Sequence, residues 1–417
     1  MTTSAEIIAT GRELLNGETK NTTTPFLIGQ LTGLGYKIKR ISTVDDGIEE
    51  ITGAVREALR RADLILLTGG LGPTPDDVTR EAVAEALCLP MEFRPDLWEE
   101  MQRYFSKRGQ AASQVNMKQA YLPCGASSLP NTLGTAPGIL IPYHEKQTIA
   151  VLPGPPQEAR EMYLREVKPY LSEHYPATVC RRITFKVCGC GETVVYEKLK
   201  GIINEAQETG IKCSFLPGRG EVHIVLRMQD ANEEKDELFR KFSAQIQENL
   251  GPDLFGINEE TLPGNVGSLL IEKGLTVAAA ESCTGGLIAS YLTDIPGSSH
   301  YIKGGVVAYS SEIKEKVLGV NPAVLKDYGV VSGETAKEMA RGVRRLLNAS
   351  FGLSTTGLAG PAGGESGIPV GTVYLGLSTP QGEEIERKIC FPGVGRQTLK
   401  SIAATWALDF LRRYLIK

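Results

Sequence analysis

The chain has 417 residues, 41% of them hydrophobic and 23% charged, with a formal net charge of −4. That length exceeds a single core and predicts two or three domains, and the acidic balance gives no electrostatic reason to expect nucleic acid as the main partner. No run of residues approaches the ~18 apolar positions that a membrane span needs, and the start, MTTSAEIIATGRELL, has neither the basic opening nor the long apolar core of a secretion signal. A cytoplasmic location without a membrane partner is therefore the expectation. The eight cysteines are scattered with no C-x-x-C pair, and the four histidines stand apart. That pattern argues against a structural zinc site and for reduced thiols.

Residues 1–171 alternate strand and helix. Strands are predicted at 6–9, 37–43 and 63–68, with helical patterns at 25–34 and 48–61 between them. Alternation with short turns predicts a parallel sheet covered by helices on both faces, in which ligands collect at the carboxyl ends of the strands. The run DLILLTGGLGPTPDDVTREAVAEAL places a glycine-rich loop there, with a helix predicted from Asp76 to Leu87. Main-chain N–H groups around Gly69, Gly70, Gly72 and Thr74 could cradle a phosphate. Asp76 and Asp77 could hold a divalent cation such as magnesium against it; equally, Asp76 could cap the helix and Asp77 favour its dipole. The loop is not a P-loop, since no G-K-[ST] follows, and Pro75 spoils a dinucleotide fingerprint. Two more glycine-rich turns suit the same crevice: one holding Thr135 and Gly138, the other Gly154, which leads into a helix carrying Glu158.

Residues 172–256 differ in character. Strands are predicted at 181–187 and 221–228 and helices at 193–207 and 232–250, with no catalytic cluster among them. A small α+β domain with a structural or dimerising role is the expectation, although Gly218-Arg219-Gly220 forms a basic loop. A proline- and glycine-containing linker then leads into residues 257–417.

In this last region a buried strand, predicted at 275–280, runs into the turn ESCTGG (Glu281–Gly286) and then into a helical pattern. A strand-to-helix turn exposes free N–H groups and the positive end of a helix dipole. It can present Ser282, or the adjacent Cys283, as a nucleophile and stabilise the anion that forms. The plainer alternative makes Ser282 or Thr284 an N-cap. Further on, GGVVAYSSEIKEKVLGV predicts a strand and a helix capped near Ser310, with Lys314 one turn inside. A strand at 353–356 ends in a glycine-rich loop running from Gly357 through Gly360 to Gly364, and Arg396 opens the last helix. A lysine can serve as the base for serine only if burial or a neighbouring cation, such as Arg396, lowers its pKa.

The segments GRELLNG, GGLGPTPDDVT, GTAPG and LPGPPQE, together with ESCTGG and its C-terminal companions, resemble the CinA (competence/damage-inducible protein A) family along the whole chain. The resemblance implies three domains: a three-layer α/β molybdenum-cofactor-binding-like domain (1–171), a KH-like α+β domain (172–256) and an α/β amidase domain (257–417). It implies two hydrolytic activities. The N-terminal site would cleave ADP-ribose to AMP and ribose 5-phosphate with a metal ion, and the C-terminal site would convert nicotinamide mononucleotide to nicotinate mononucleotide and ammonia without one. Carried over by position, Ser282 is the nucleophile and Lys314 its base, Tyr309 assists proton transfer, Thr356 positions substrate, and Arg396 binds or supports it. Thr284, Gly285, Gly286, Gly357 and Gly360 would line the substrate site. A homodimer is the implied assembly. Thr23 and Asp45 depart from the family pattern, which has Asn and Gly there. Two other readings of the same motifs are a molybdopterin-binding nucleotidyl transferase and a non-catalytic accessory of competence or DNA repair.

Overall fold

The computed structural model describes residues 3–144, 147–175, 180–229, 232–361 and 367–417. The chain divides into two compact units, Met1–Arg181 with Gln229–Glu233, and Arg182–Met228 with Glu234–Lys417. No helix among the described residues is long and apolar enough to cross a membrane.

The first unit is built on a six-stranded sheet. Its order is Lys37–Val44, Ser4–Thr10, Leu64–Thr68, Gln147–Leu152, Gly138–Tyr143 and Ser127–Leu129. The first four strands are parallel; Gly138–Tyr143 runs antiparallel to them, and Ser127–Leu129 antiparallel to it in turn. The expected parallel sheet thus carries an antiparallel edge. Gly138–Tyr143 and Gln147–Leu152 follow each other too closely for a helical crossover, and a hairpin is what so short a connection allows. Alternation along the strands feeds two cores. Ile8, Ile65, Leu67 and Val151 face the helices Ile48–Leu59 and Thr79–Ala86, while Ile7, Leu64, Leu66 and Leu152 face Thr23–Gly33 and Pro156–Met162.

The second unit holds two sheets. One is four-stranded, in the order Lys212–Pro217, Glu221–Met228, Arg181–Cys188 and Leu254–Ile257, with the long helices Glu192–Glu208 and Glu233–Leu250. The other is five-stranded: Ile302–Val307, Val277–Glu281 and Phe351–Gly357 are parallel, then Thr372–Ser378 and Glu384–Cys390 are antiparallel. Val277 and Ala279 pack under the helices Leu262–Glu272 and Arg396–Leu415. Ala278 and Ala280 pack on the other face, against Met339 and Val343 of Gly333–Leu346.

The last helix ties these two sheets together. Asp409, fully buried, takes Arg412 Nη2 at 2.7 Å and Arg413 Nε at 2.6 Å. The two guanidiniums then reach the smaller sheet's strand ends: Arg412 donates to the carbonyls of Pro252 and Leu254, and Arg413 to Cys188 O and Asp253 Oδ1. Trp406 Nε1 donates to Gly220 O at 3.1 Å, so the Gly218-Arg219-Gly220 loop is docked on this helix.

Removing the shared carboxylate would leave Arg412 buried without its counter-charge. Asp409→Ala should cost about 3–5 kcal/mol, the usual penalty for breaking a buried ion pair from one side. Urea unfolding followed by circular dichroism reads this, and a loss below about 1 kcal/mol would show that the network is not what joins the sheets.

Candidate active sites

In the C-terminal sheet the three parallel strands end together. Ser282 N donates to Thr355 O at 2.9 Å and Ala308 N to Glu281 O at 2.8 Å, which brings the turn after Val277–Glu281 beside the segment carrying Tyr309 and Ser310. Ser310 caps the short helix Ser311–Lys316 by accepting the Ile313 N–H at 3.3 Å. Lys314, 2% exposed, points its amine back at the turn. Its Nζ lies 3.2 Å from Ser282 Oγ, 2.7 Å from the Ala308 carbonyl and 3.3 Å from the Tyr309 carbonyl. Burial pulls this lysine below its ordinary pKa, since the ammonium loses water that the amine does not need.

That set of neighbours suits a base. A neutral amine has two N–H donors and one lone pair. The two carbonyls can accept the donors and nothing else, so the lone pair is left for the Ser282 hydroxyl proton. In the ammonium form the third N–H donates to Ser282 Oγ instead. Both ends of a proton transfer are accommodated without moving a heavy atom.

The choice between the neighbouring serine and cysteine has a physical basis. Cys283 is buried within the hydrophobic core, and burial pushes its thiol up to about 12. It is not a thiolate near neutral pH. Ser282, 8% exposed, is the group in contact with Lys314.

The helix after the turn corrects one expectation. Glu281, 1% exposed, folds its carboxylate under the N-terminus of Leu287–Thr293 and accepts the N–H groups of Gly286, Ile288 and Ala289 at 2.9, 3.0 and 2.9 Å. The dipole end is thereby occupied by the protein's own anion and is not open to a substrate's. Gly286 sits at the N-cap with φ 98°, which only glycine adopts readily. Neither Ser282 nor Thr284 caps this helix. Among the described residues, the N–H groups at the turn that make no bond to a backbone carbonyl or to Glu281 are those of Cys283 and Thr284.

The other residues assigned to this site separate into groups. Arg396 donates to Gly360 O at 2.8 Å and to Tyr309 Oη at 2.9 Å, linking all three. It has no part in depressing Lys314, whose shift comes from burial. Thr356 donates its hydroxyl to Val330 O at 2.6 Å and is 1% exposed, and Thr284 is buried in a 2.7 Å hydroxyl pair with Thr355. The hydroxyls of these two threonines are engaged within the protein at the strand ends. Gly357 packs so closely that a Cβ there would lie 2.7 Å from Thr372 O, so its part is strand packing. Residues 362–364 of the expected glycine-rich loop lie outside the described residues. Glu281 is the residue that motif reading overlooked. An acidic side chain closing a wholly apolar strand was the available signal.

The N-terminal unit has a cavity of about 840 Å³ at the carboxyl ends of its parallel strands, lined by Gly69, Gly70, Gly72, Asp76, Asp77, Thr135, Gly154 and Glu158 among others. Two assigned residues lie outside it. Thr74 faces Asp77, and Gly138 packs against Met162 and Val151 inside the sheet. The predicted helix start is also corrected: the helix is Thr79–Ala86, and Asp76 and Asp77 belong to the turn before it. There Asp77 Oδ2 accepts both the N–H and the hydroxyl of Thr74, at 2.9 and 2.6 Å. Arg80, fully buried, holds the loop from beneath by donating to the carbonyls of Leu71 and Gly72. Gly70 has φ +66°, and a Cβ on it would collide with Thr79 Oγ1. Glu158 is fixed by Asn131 Nδ2 at 2.8 Å. Thr23 lines the cavity, whereas Asp45 pairs with Arg12. Among the described residues no group of three or more His, Cys, Asp or Glu side chains could hold a metal ion. A cation here would rest on Asp76 and Asp77 together with the ligand's own oxygens.

Comparison with known proteins gives three matches in chain order. Residues 6–173 match the family described as "Probable molybdopterin binding domain", 182–256 the Damage-inducible protein CinA KH domain, and 259–415 the CinA C-terminal domain. A protein of Desulforamulus reducens named as competence-damage inducible is 43% identical over 413 residues, covering 99% of both chains. A CinA-like protein of Thermosynechococcus vestitus is 41% identical, again covering 99% of both. Among solved structures, the protein CinA of unknown function from Thermoplasma acidophilum is 31% identical over 40% of this chain and 98% of its own, with a TM-score of 0.38.

The contrast between the thiols is open to test. Iodoacetamide at pH 8 on the native protein should label the exposed Cys88, Cys124 and Cys390 and leave Cys283 unmodified, as read by peptide mass spectrometry. Rapid labelling of Cys283 would restore it as a candidate nucleophile.

Proposed function

The chain belongs to the family of CinA competence-damage inducible proteins, and from that premise we propose that its C-terminal site is a serine–lysine amidase acting on nicotinamide mononucleotide. One observation carries the reading: the buried Lys314 amine within 3.2 Å of Ser282 Oγ, with two carbonyls taking its N–H groups. Lys314 Nζ takes the Ser282 proton as Oγ bonds to the carboxamide carbon. The oxyanion that forms is met by the N–H groups left over at Cys283 and Thr284. Lys314 then returns the proton to the departing nitrogen, releasing ammonia and leaving an ester on Ser282. Water, deprotonated by the same amine, cleaves that ester to the nicotinate product and restores the serine. Tyr309 and Arg396, linked to each other and to Gly360, form the adjoining wall that orients substrate.

For the N-terminal cavity we infer ADP-ribose hydrolysis to AMP and ribose 5-phosphate. The supporting features are the glycine loop at the strand ends, held rigid by Arg80, and two adjacent carboxylates at its exit. Magnesium characteristically binds through one or two carboxylates plus phosphate oxygens and water, and this donor set fits that mode. Asp76 and Asp77 would hold it, Asp77 through Oδ1 since Oδ2 is engaged by Thr74. The ion would neutralise charge on the pyrophosphate. The same cavity read as a molybdopterin site would bind pterin without cleaving ADP-ribose.

Four outcomes follow for the purified chain. Ser282→Ala should abolish ammonia release from nicotinamide mononucleotide, while Cys283→Ala retains most of it. The deamidation rate should rise with pH through an ionisation below the ordinary lysine value of about 10.4, because the amine, not the ammonium, is the working form. Lys314→Arg should be as inactive as Lys314→Ala, since guanidinium stays protonated; near-normal turnover by the arginine variant would mean that positive charge is what the position supplies. Cleavage of ADP-ribose should stop on chelation and in Asp77→Asn while deamidation persists, and metal-independent cleavage would remove the role given to the acidic pair.

A further inference from the structure

Lys400 is the residue that neither motif nor comparison assigns and that the fold brings to the nucleophile's turn. It lies one turn after Arg396 on the helix Arg396–Leu415, so the two basic side chains share a face. Its Nζ comes within 3.2 Å of where a Cβ on Gly285 would stand. Arg396 is already engaged by Gly360 and Tyr309. Lys400 is half-buried, and among the described residues its ammonium has no carboxylate or carbonyl partner. The nearest anion on the turn, Glu281, is saturated by three N–H groups of its own helix. A half-buried, unpaired ammonium beside a glycine that leaves room for it is a cation waiting for an external anion.

We propose that Lys400 binds the phosphate of the nucleotide and so makes the C-terminal site select a nucleotide over the corresponding nucleoside. The inference rests on the amidase reading of Ser282 and Lys314. On that reading the carboxamide lies at Ser282 Oγ and the charged end at Lys400, beyond Gly285 three residues along the turn. A phosphate monoester carries about −1.5 to −2 charges near neutral pH, and lysine meets it as a point charge without needing fork geometry. Gly285, with φ +63°, keeps the space between turn and ammonium clear.

The test compares nicotinamide mononucleotide with nicotinamide riboside, which lacks only the phosphate, on the full chain and on Lys400→Met, Lys400→Gln and Lys400→Arg. Calorimetry gives both dissociation constants, and ammonia release is followed alongside. The wild type should prefer the nucleotide, the two neutral variants should reduce that preference about tenfold, and the arginine variant should keep most of it. Having two neutral variants guards against one that fails to fold, which circular dichroism detects. Ammonia release with an unchanged preference in the neutral variants would overturn the role of Lys400 and leave the amidase standing. A preference that collapses without any ammonia release would uphold the anion site and sink the amidase. Failure to bind either compound would overturn both.

Discussion

The C-terminal site depends on the burial of a single amine. A lysine with 2% exposure cannot hold its charge as cheaply as one in water, and the protein answers with polar neighbours that match both protonation states. Those neighbours come from the chain's geometry. The strand Ile302–Val307 ends just short of Ala308 and Tyr309, so their carbonyls are free of ladder bonds and can turn toward the amine. The helix Ser311–Lys316 is a turn and a half long and starts at once, its first turn closed by the Ser310 side chain. A longer connection would let Lys314 swing to solvent, where it would be an ordinary cation of no use as a base.

Glu281 imposes the second constraint. Its carboxylate satisfies three N–H groups that would otherwise be orphaned at the start of Leu287–Thr293, and it does so from inside the fold. The consequence is a division of labour at the turn. The helix end is neutralised by the protein, which fixes the turn's shape, while among the described residues the N–H groups of Cys283 and Thr284 at the turn bond to no backbone carbonyl. On the amidase reading, anion stabilisation rests on local N–H groups and not on the helix dipole as a whole. The Cys283 thiol, raised by burial, lies within the hydrophobic core.

Much of this was legible in the sequence, and the failures have identifiable causes. Apolar strands such as Leu64–Thr68 and Val277–Glu281 declared themselves because both faces of a parallel sheet are buried. Glu221–Met228 was read to the residue, since its boundaries coincide with a change of alternation. Short strands such as Met91–Phe93, Tyr121–Pro123 and Leu254–Ile257 carry too few residues to show a period, and their pairing partners are distant in sequence. The helix Gly333–Leu346 went unread although Ser332 caps it and its apolar face is well defined. Motif reading located Ser282 and Lys314, which the fold brings within hydrogen-bond distance across 32 positions. Motif reading could not separate residues that face a ligand from those that hold the strand ends. Thr284 and Thr356 look the same in sequence as substrate contacts, yet their hydroxyls are engaged within the protein.

The two candidate sites are built in opposite ways. The N-terminal cavity is wide and relies on main-chain groups and paired carboxylates, so its chemistry must be supplied largely by what binds there. Its rigidity comes from beneath, where a fully buried Arg80 grips the carbonyls of Leu71 and Gly72. Such an arginine contributes shape and not reactivity, because its charge faces the loop's carbonyls and never the ligand. The C-terminal site holds Ser282 Oγ and the Lys314 amine already in contact. A site of that kind needs little from its ligand except correct placement, which puts the burden of selection on groups at the rim. Arg396, bonded to Tyr309 and Gly360 through one N–H on each terminal nitrogen, shapes that rim. On the amidase reading, Lys400 one helical turn further on adds a second cation with which to select the ligand.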